Sequence, residues 1–355
     1  DRMASRPESR FVLEQFGMKF MPLAEGVDRF MAEIAAGLPE AEVLVTEPVF
    51  CLDAAATGAG HTPALATPAT AAGGSLVAAV ERAGRGSQVR FVLDPTADRF
   101  LTEHLQYRRP LLPAVMGAEL LAQATVAAVG CGRVEEMRDF VVERPLGFPT
   151  DQPREVRVEV EAGTPGLVTA RAWSSESVGG EPARGHVSAT ILTGAAEPVT
   201  AKLDDLLFPW NPMVYQDDGP MWHGPSFRVL TGLFLDRSGG WGRLAAPQAD
   251  TVAQPRGAAG WTVPVAMLDG AIVACAVYSY ILCGKRVEIP VRFDRLRVVG
   301  RAAAGEQCTV RLFFRSQDPQ KTVYDFVIFG ADGRALVAID GLHLAVLTPE
   351  RSRPS

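Results

Sequence analysis

The sequence predicts an α+β fold made of two tandem units, each an antiparallel sheet wrapped around one apolar helix. Three observations carry that expectation. Two long segments, 113–129 and 265–282, are apolar on almost every face, as a helix is when most of its circumference is buried. Each is followed by short stretches of alternating apolar and polar residues separated by Gly/Pro turns, the pattern of half-buried strands. From about residue 76 onward this order of elements occurs twice. Two such units side by side form a double hotdog.

In chain order, residues 9–50 read as a helix and then a strand. Phe16, Phe20, Met21, Leu23, Val27, Phe30, Met31 and Ile34 recur near helical spacing, and 40–48 (EAEVLVTEP) reads as a short buried strand. Residues 1–50 are too few to bury their own apolar faces and read as the tail of a preceding α/β domain. Residues 51–75, rich in Ala, Thr, Pro and Gly, form a linker, which discounts His61 as a catalytic group. The first hotdog spans 76–200. Its helix is apolar at Val115, Met116, Leu120, Leu121, Ala124, Ala127 and Ala128, and strands follow near 156–160, 167–173 and 186–192. A linker over 201–220 leads to the second hotdog, 221–347, with strands near 291–299, 307–314, 323–329 and 335–346. Residues 348–355 read as a disordered tail.

Composition excludes several function classes. With 355 residues, 47% apolar and 21% charged, the chain can bury a substantial core beneath an ordinary polar surface. A net charge of −6, with no Lys/Arg stripe interleaved with aromatics, argues against nucleic acid as a partner. No uninterrupted apolar run approaches the roughly 20 residues that span a bilayer, and no signal peptide opens the sequence. No membrane partner is expected. Cys51, Cys131, Cys275, Cys283 and Cys308 show no C-x-x-C spacing and fit a reducing cytoplasm. Metal-ligand spacings, phosphate-binding glycine motifs and a G-x-S-x-G elbow are all missing, so neither a metal nor a cofactor is expected. An acidic carrier protein would need a local basic patch, for which Arg108, Arg109, Lys285, Arg286, Arg292, Arg295 and Arg297 are candidates.

What remains is acid–base chemistry. His104 lies in DRFLTEHLQYRRPLLPAVMGAELLAQA (98–124), just before a Pro-Leu-Leu-Pro stop and the first apolar helix. Free N–H groups and the dipole at a helix N-terminus stabilise developing negative charge. An imidazole placed there suits proton abstraction beside a carbonyl. Asp269 is a lone carboxylate in the second apolar helix. Burial raises a carboxyl pKa, which suits a proton donor; the alternative is a residue that caps the first turn or faces solvent. In 219–227 (GPMWHGPSF), Trp222, His223 and Phe227 flank a Gly224-Pro225 turn. That turn either lines an acyl tunnel or is an ordinary aromatic loop between domains. His186 and His343 lie in strand patterns and read as structural.

Together these residues resemble the dehydratase domain of polyketide synthases and of the related polyunsaturated fatty acid synthases. His104 and Pro113 stand at the separation of that family's H-x-x-x-G-x-x-x-x-P, Asp269 matches the aspartate of D-x-x-x-Q/H, and HGPSF (223–227) resembles Y-G-P-x-F. The resemblance covers about residues 76–347. The segment MPLAEGVDRFMAEIAAGLPEAEVLVTEP resembles the end of a ketoreductase domain, and LLPAVMGAELLAQA is closer in wording to iterative synthases of the polyunsaturated fatty acid and enediyne types than to modular synthases. The resemblance implies a 3-hydroxyacyl-[acyl-carrier-protein] dehydratase. Neutral His104 would take the α-proton and protonated Asp269 would protonate the departing β-hydroxyl. Backbone N–H groups around Val115, Met116 and Gly117 would stabilise the enolate, and Pro113, Trp222, His223, Gly224, Pro225, Phe227 and Val273 would complete the substrate contacts. No cofactor is implied beyond the phosphopantetheine of an acyl carrier protein that carries the substrate. The implied partners are that carrier protein and the neighbouring synthase domains, with a second copy of the chain as a further one.

Four departures from the family pattern matter. Arg108 replaces the motif glycine, where it would crowd the thioester. Val273 replaces Gln or His, removing a hydrogen bond that would orient Asp269 or the β-hydroxyl. His223 replaces tyrosine, and Ala114 replaces a glycine. They keep open a second reading, a weak or inactive dehydratase-like structural module. A thioesterase on the same fold, using a carboxylate and water without the histidine, is a third.

Overall fold

A computed structural model describes residues 75–83, 86–164, 166–174, 184–203, 209–248, 251–258, 261–284 and 286–347. The expectations for 1–50, most of the 51–75 linker, His61, Cys51, Lys285 and the tail 348–355 lie outside the described residues.

The first half contains β1 (Val77–Ala83), β2 (Gly86–Leu93), a single turn of helix α1 (Arg99–Thr102), β3 (His104–Gln106), β4 (Arg109–Pro110), the long helix α2 (Ala114–Val129), β5 (Glu136–Val142), β6 (Arg154–Ala162), β7 (Leu167–Ser174) and β8 (Arg184–Leu192). The second contains β9 (Asn211–Pro212), β10 (Met221–His223), β11 (Leu230–Asp236), β12 (Gly239–Ala245), the long helix α3 (Val265–Leu282), β13 (Glu288–Val298), β14 (Gln307–Gln317), β15 (Lys321–Phe329) and β16 (Ala335–Val346).

Both helices start after a proline, which supplies a fixed φ and lacks the N–H that a first turn cannot use. Pro113 precedes α2, and its carbonyl accepts the N–H groups of Met116 and Gly117 at 2.9 and 3.0 Å. Every residue from Val115 to Thr125 is buried, as the all-round apolar pattern predicts. Gly130, at φ +75°, ends the helix in the left-handed conformation that glycine adopts without strain. α3 is long and apolar enough to cross a membrane, but the sheet encloses it and it serves as a core helix. Gly270 lets it approach closely, since a Cβ there would come within 2.5 Å of Val229 Cγ2.

The expectation of two separate sheets is corrected. One antiparallel sheet of thirteen strands runs β1-β2-β6-β7-β8-β5-β13-β16-β15-β14-β12-β11-β9. The halves join where β5 pairs with β13, with Phe140 opposite Phe293 and their rings stacked at 4.3 Å. β5 went unread in the sequence because EMRDFVV puts charged residues in mid-strand; pairing satisfies them, Arg138 and Arg295 both donating to the buried Glu136 carboxylate. β10, β3 and β4 form a separate three-stranded sheet. In it a strand from the second half lies beside the hairpin of the first, which sets the site.

Candidate active site

The β3–β4 hairpin turns through Tyr107 and Arg108, at φ +47° and +62°. Two successive positive φ values define the tight hairpin turn that favours Asn-Gly. A glycine at position 108 would therefore serve this turn. Arg108 is exposed there, at the tip of the hairpin.

The hairpin presents His104. Its Nδ1 lies 2.9 Å from the Leu111 carbonyl, which can only accept, so Nδ1 carries the proton and Nε2 keeps its lone pair. His104 is buried, and burial pushes its pKa down to about 4. The imidazole is neutral at physiological pH, in the tautomer of a base.

β10 pairs with β3 in a register that sets His223 directly opposite His104, with ring centroids 5.2 Å apart. Alternation sends the neighbouring Trp222 to the other face, where its indole N–H donates to Asp217 and its ring lies beneath Arg228. Trp222 thus does not line the site. Nor does Pro225, which is exposed at the start of a 3-10 turn. Gly224 is required by close packing: its N–H donates to the Glu103 carbonyl at 2.7 Å, and a Cβ there would meet the Glu103 side chain at 2.5 Å. The turn brings Phe227 in as a fully buried wall, 5.7 Å from the His104 ring.

Asp269 enters from the opposite side, in the second turn of α3. It is 6% exposed, so neither a capping role nor a solvent-facing one fits. Burial raises its pKa to about 7, and its Oδ2 accepts no hydrogen bond. Val273, one turn on and half-buried against the core, offers none. Instead His223 Nε2 lies 3.4 Å from Asp269 Oδ2, outside hydrogen-bond alignment. Desolvation, then the neighbouring His104 and Arg228, lower the His223 pKa to about 3. One donor atom each from His104, His223 and Asp269 lies within 4.8 Å of the others. Residues 104, 223 and 269, far apart in sequence, thus share one buried space.

The first turn of α2 contributes less than expected. The N–H groups of Met116 and Gly117 are held by the Pro113 carbonyl, so of the three only Val115 N–H is not spent there. Gly117 is a packing glycine: a Cβ would lie 3.0 Å from Val187 and 3.5 Å from Phe140. Pro113, Val115 and Met116 are buried around this turn. The basic patch is also largely neutralised, since Arg286, Arg292, Arg295 and Arg297 each pair with a carboxylate and Arg109 donates to a backbone carbonyl.

Two residues escaped the sequence reading. Tyr215, whose ring lies 6.2 Å from that of His223, uses its hydroxyl to accept the Leu230 N–H. Glu119, on α2 and fully buried, accepts the N–H groups of Thr262 and Val263 at 3.0 and 2.7 Å just before α3, and Gln123 Nε2 at 2.8 Å. The signal that singled out Asp269, a lone carboxylate in an apolar helix, was equally present at Glu119. A cleft lined by Val252, Trp261, Pro264, Met267 and Arg301 opens beside the start of α3, but none of the three site residues lines it.

Two family models match in tandem. The polyketide synthase dehydratase domain matches residues 75–175, and the polyketide synthase dehydratase N-terminal domain matches residues 215–354. Similar solved structures share the fold at low identity. The dehydratase domain from the CurF module of the curacin polyketide synthase is 16% identical, with 77% of this chain and 99% of that chain covered and a TM-score of 0.62. A trans-AT polyketide synthase dehydratase domain from Brevibacillus brevis is 17% identical, covering 77% and 98% at 0.62. The dehydratase domain of PpsC from Mycobacterium tuberculosis, in complex with C12:1-CoA, is 21% identical, covering 77% and 98% at 0.59. No curated protein matches.

Proposed function

The chain belongs to the polyketide synthase dehydratase family and is a hydro-lyase acting on hydroxyacyl thioesters, and we propose that His104 and Asp269 are its catalytic pair. The observation that carries this reading is their convergence from two halves of the molecule into one buried space, with donor atoms no more than 4.8 Å apart. That gap lets the two groups bracket adjacent carbons of one acyl chain.

His104 Nε2 takes the proton from C2 of a 3-hydroxyacyl thioester. The C2 electron pair forms the double bond as the C3–O bond breaks, and the Asp269 carboxyl gives its proton to the departing hydroxyl, releasing water and a 2-enoyl thioester. The desolvation that keeps the imidazole neutral also keeps the carboxyl protonated below about pH 7. Val115 N–H and the α2 N-terminus support the developing enolate. The substrate rides on the phosphopantetheine of an acyl carrier protein, within an iterative synthase of the polyunsaturated fatty acid or polyketide type. The wording of LLPAVMGAELLAQA and the ketoreductase-like N-terminal segment support that setting. Scattered cysteines, all four described ones unpaired, support a cytoplasmic location.

The test is turnover of 3-hydroxybutyryl and longer thioesters, on pantetheine and on carrier protein, by wild type, His104→Phe and Asp269→Asn. Each substitution should lower kcat on the order of 100-fold or more while far-UV circular dichroism stays unchanged. Turnover that survives either change rejects that residue's role. A wild type inert toward every thioester leaves the structural-module reading in place, and release of free acid points to a thioesterase.

A further inference from the structure

We propose that His104, His223 and Asp269 form a binding site for one divalent transition-metal ion of the zinc or cobalt type. Two imidazoles and one carboxylate converge, each offering one donor atom, with all three within 4.8 Å of one another. Imidazole nitrogen with a single carboxylate oxygen is a donor set that selects first-row transition metals over calcium or magnesium. Bond lengths of about 2.0–2.2 Å bring tetrahedral donors roughly 3.4 Å apart. His223 Nε2 and Asp269 Oδ2 already stand at 3.4 Å.

Two further observations point to a cation. Asp269 Oδ2 is completely buried and accepts no hydrogen bond, although its carboxylate lies beside two ring nitrogens. An orphaned acceptor of that kind is costly unless something positive or protic occupies the space before it. His104 meanwhile donates Nδ1–H to the Leu111 carbonyl. This is the outer-sphere bond by which ligating histidines are held and their Nε2 lone pair aimed. Directly paired strands hold the two histidines, and a buried helix holds the aspartate. The frame is therefore stiff.

The site exists because residue 223 is histidine. A tyrosine there, as in the motif that 223–227 resembles, would leave one imidazole and one carboxylate, too few ligands to compete with solvent. The functional consequence, which alone rests on the dehydratase reading, is mutual exclusion. An ion on His104 Nε2 and Asp269 removes the lone pair and the proton that elimination requires, so metal and 3-hydroxyacyl thioester compete.

Binding itself is tested without turnover. The full chain, stripped with a chelator, is titrated with Zn²⁺ against a chromophoric competitor, and with Co²⁺ while the visible spectrum is recorded. One ion per chain is expected, with Co²⁺ bands of a low-coordinate nitrogen–oxygen site. His223→Tyr, His223→Phe and Asp269→Asn should each weaken Zn²⁺ binding at least tenfold, whereas His186→Asn and Cys131→Ser should bind as wild type does. Thermal unfolding confirms that each variant is folded, and the two changes at His223 guard against one of them misfolding. No Zn²⁺ binding by wild type, thiolate bands in the Co²⁺ spectrum, or binding untouched by the site substitutions overturns the proposal.

Discussion

Arg108 shows how a single residue can look functional and be conformational. Its place in the motif suggested interference with substrate; its φ of +62° and its exposure put it at a turn, doing work that glycine does without strain. A non-glycine residue in the left-handed region costs about 1–2 kcal/mol, partly offset by the chain entropy that glycine loses on folding. Arg108→Gly should therefore stabilise the protein by about 0.5–1 kcal/mol in urea unfolding, leaving kcat on acyl-pantetheine thioesters within twofold of wild type. A loss of stability, or a large gain in turnover, would restore the crowding explanation. The departure at Val273 is different in kind. With no polar group one turn beyond Asp269, the carboxyl has the His223 imidazole 3.4 Å away but out of hydrogen-bond alignment, carried by β10 with β11 and β12 between it and α3 in the chain.

Among the elements, the two long helices were legible because each is an apolar run behind a proline, a pattern that survives any tertiary context. α3 spans the residues the sequence marked, and α2 begins one later at Ala114. Strands with clean alternation, such as β14 and β15, were legible for the same reason. β5 was not, since its acidic residues Glu136 and Asp139 are compensated by Arg295 and Arg292, more than 150 residues away. The site was half legible: His104 and Asp269 stood out by residue type and place, whereas the His104–His223 pairing depends on register between distant strands. Glu119 is the clearest element-scale contact that escaped notice. It ties α2 to the segment that launches α3, and so sets Asp269 relative to His104. Burial lifts its pKa to about 7, against backbone and Gln123 hydrogen bonds that pull the other way. A carboxyl whose folded pKa lies above its usual 4.5 adds stability at low pH, and that contribution fades as pH rises from about 4.5 to 7. Glu119→Gln removes this titration and leaves one backbone N–H without its acceptor. The stability gap between wild type and variant should thus be widest near pH 5 and narrow by a few kcal/mol near pH 8. Urea unfolding at the two pH values measures it; a gap that widens with pH would show that the carboxylate, not the acid, is the form the fold stabilises.

At the scale of the whole molecule, a duplicated unit would be expected to unfold in two steps if each half kept its own sheet and core. Neither is separate here. β5 and β13 make the sheet continuous, and one hydrophobic cluster contains the buried apolar side chains of both α2 and α3. The Asp98 carboxylate of the first half is also gripped by Arg256 of the second at 2.7 and 2.9 Å. The seam concentrates its apolar contact in Phe140 and Phe293, 1% and 3% exposed and stacked with an interplanar angle of 5°. Phe140→Ala should cost about 3–5 kcal/mol, the usual loss for an aromatic ring removed from a packed core. Because both halves share what is lost, amides of β7 on one side and β15 on the other should gain exchange rate together under native-state hydrogen exchange. Catalysis gives a second reason for this coupling. The proposed base and acid sit on opposite sides of the seam, so loosening it should lower kcat more than it raises KM. Faster exchange confined to the first half would mean the two units are mechanically independent, and that the alignment of His104 with Asp269 is held by the β10–β3 pairing alone.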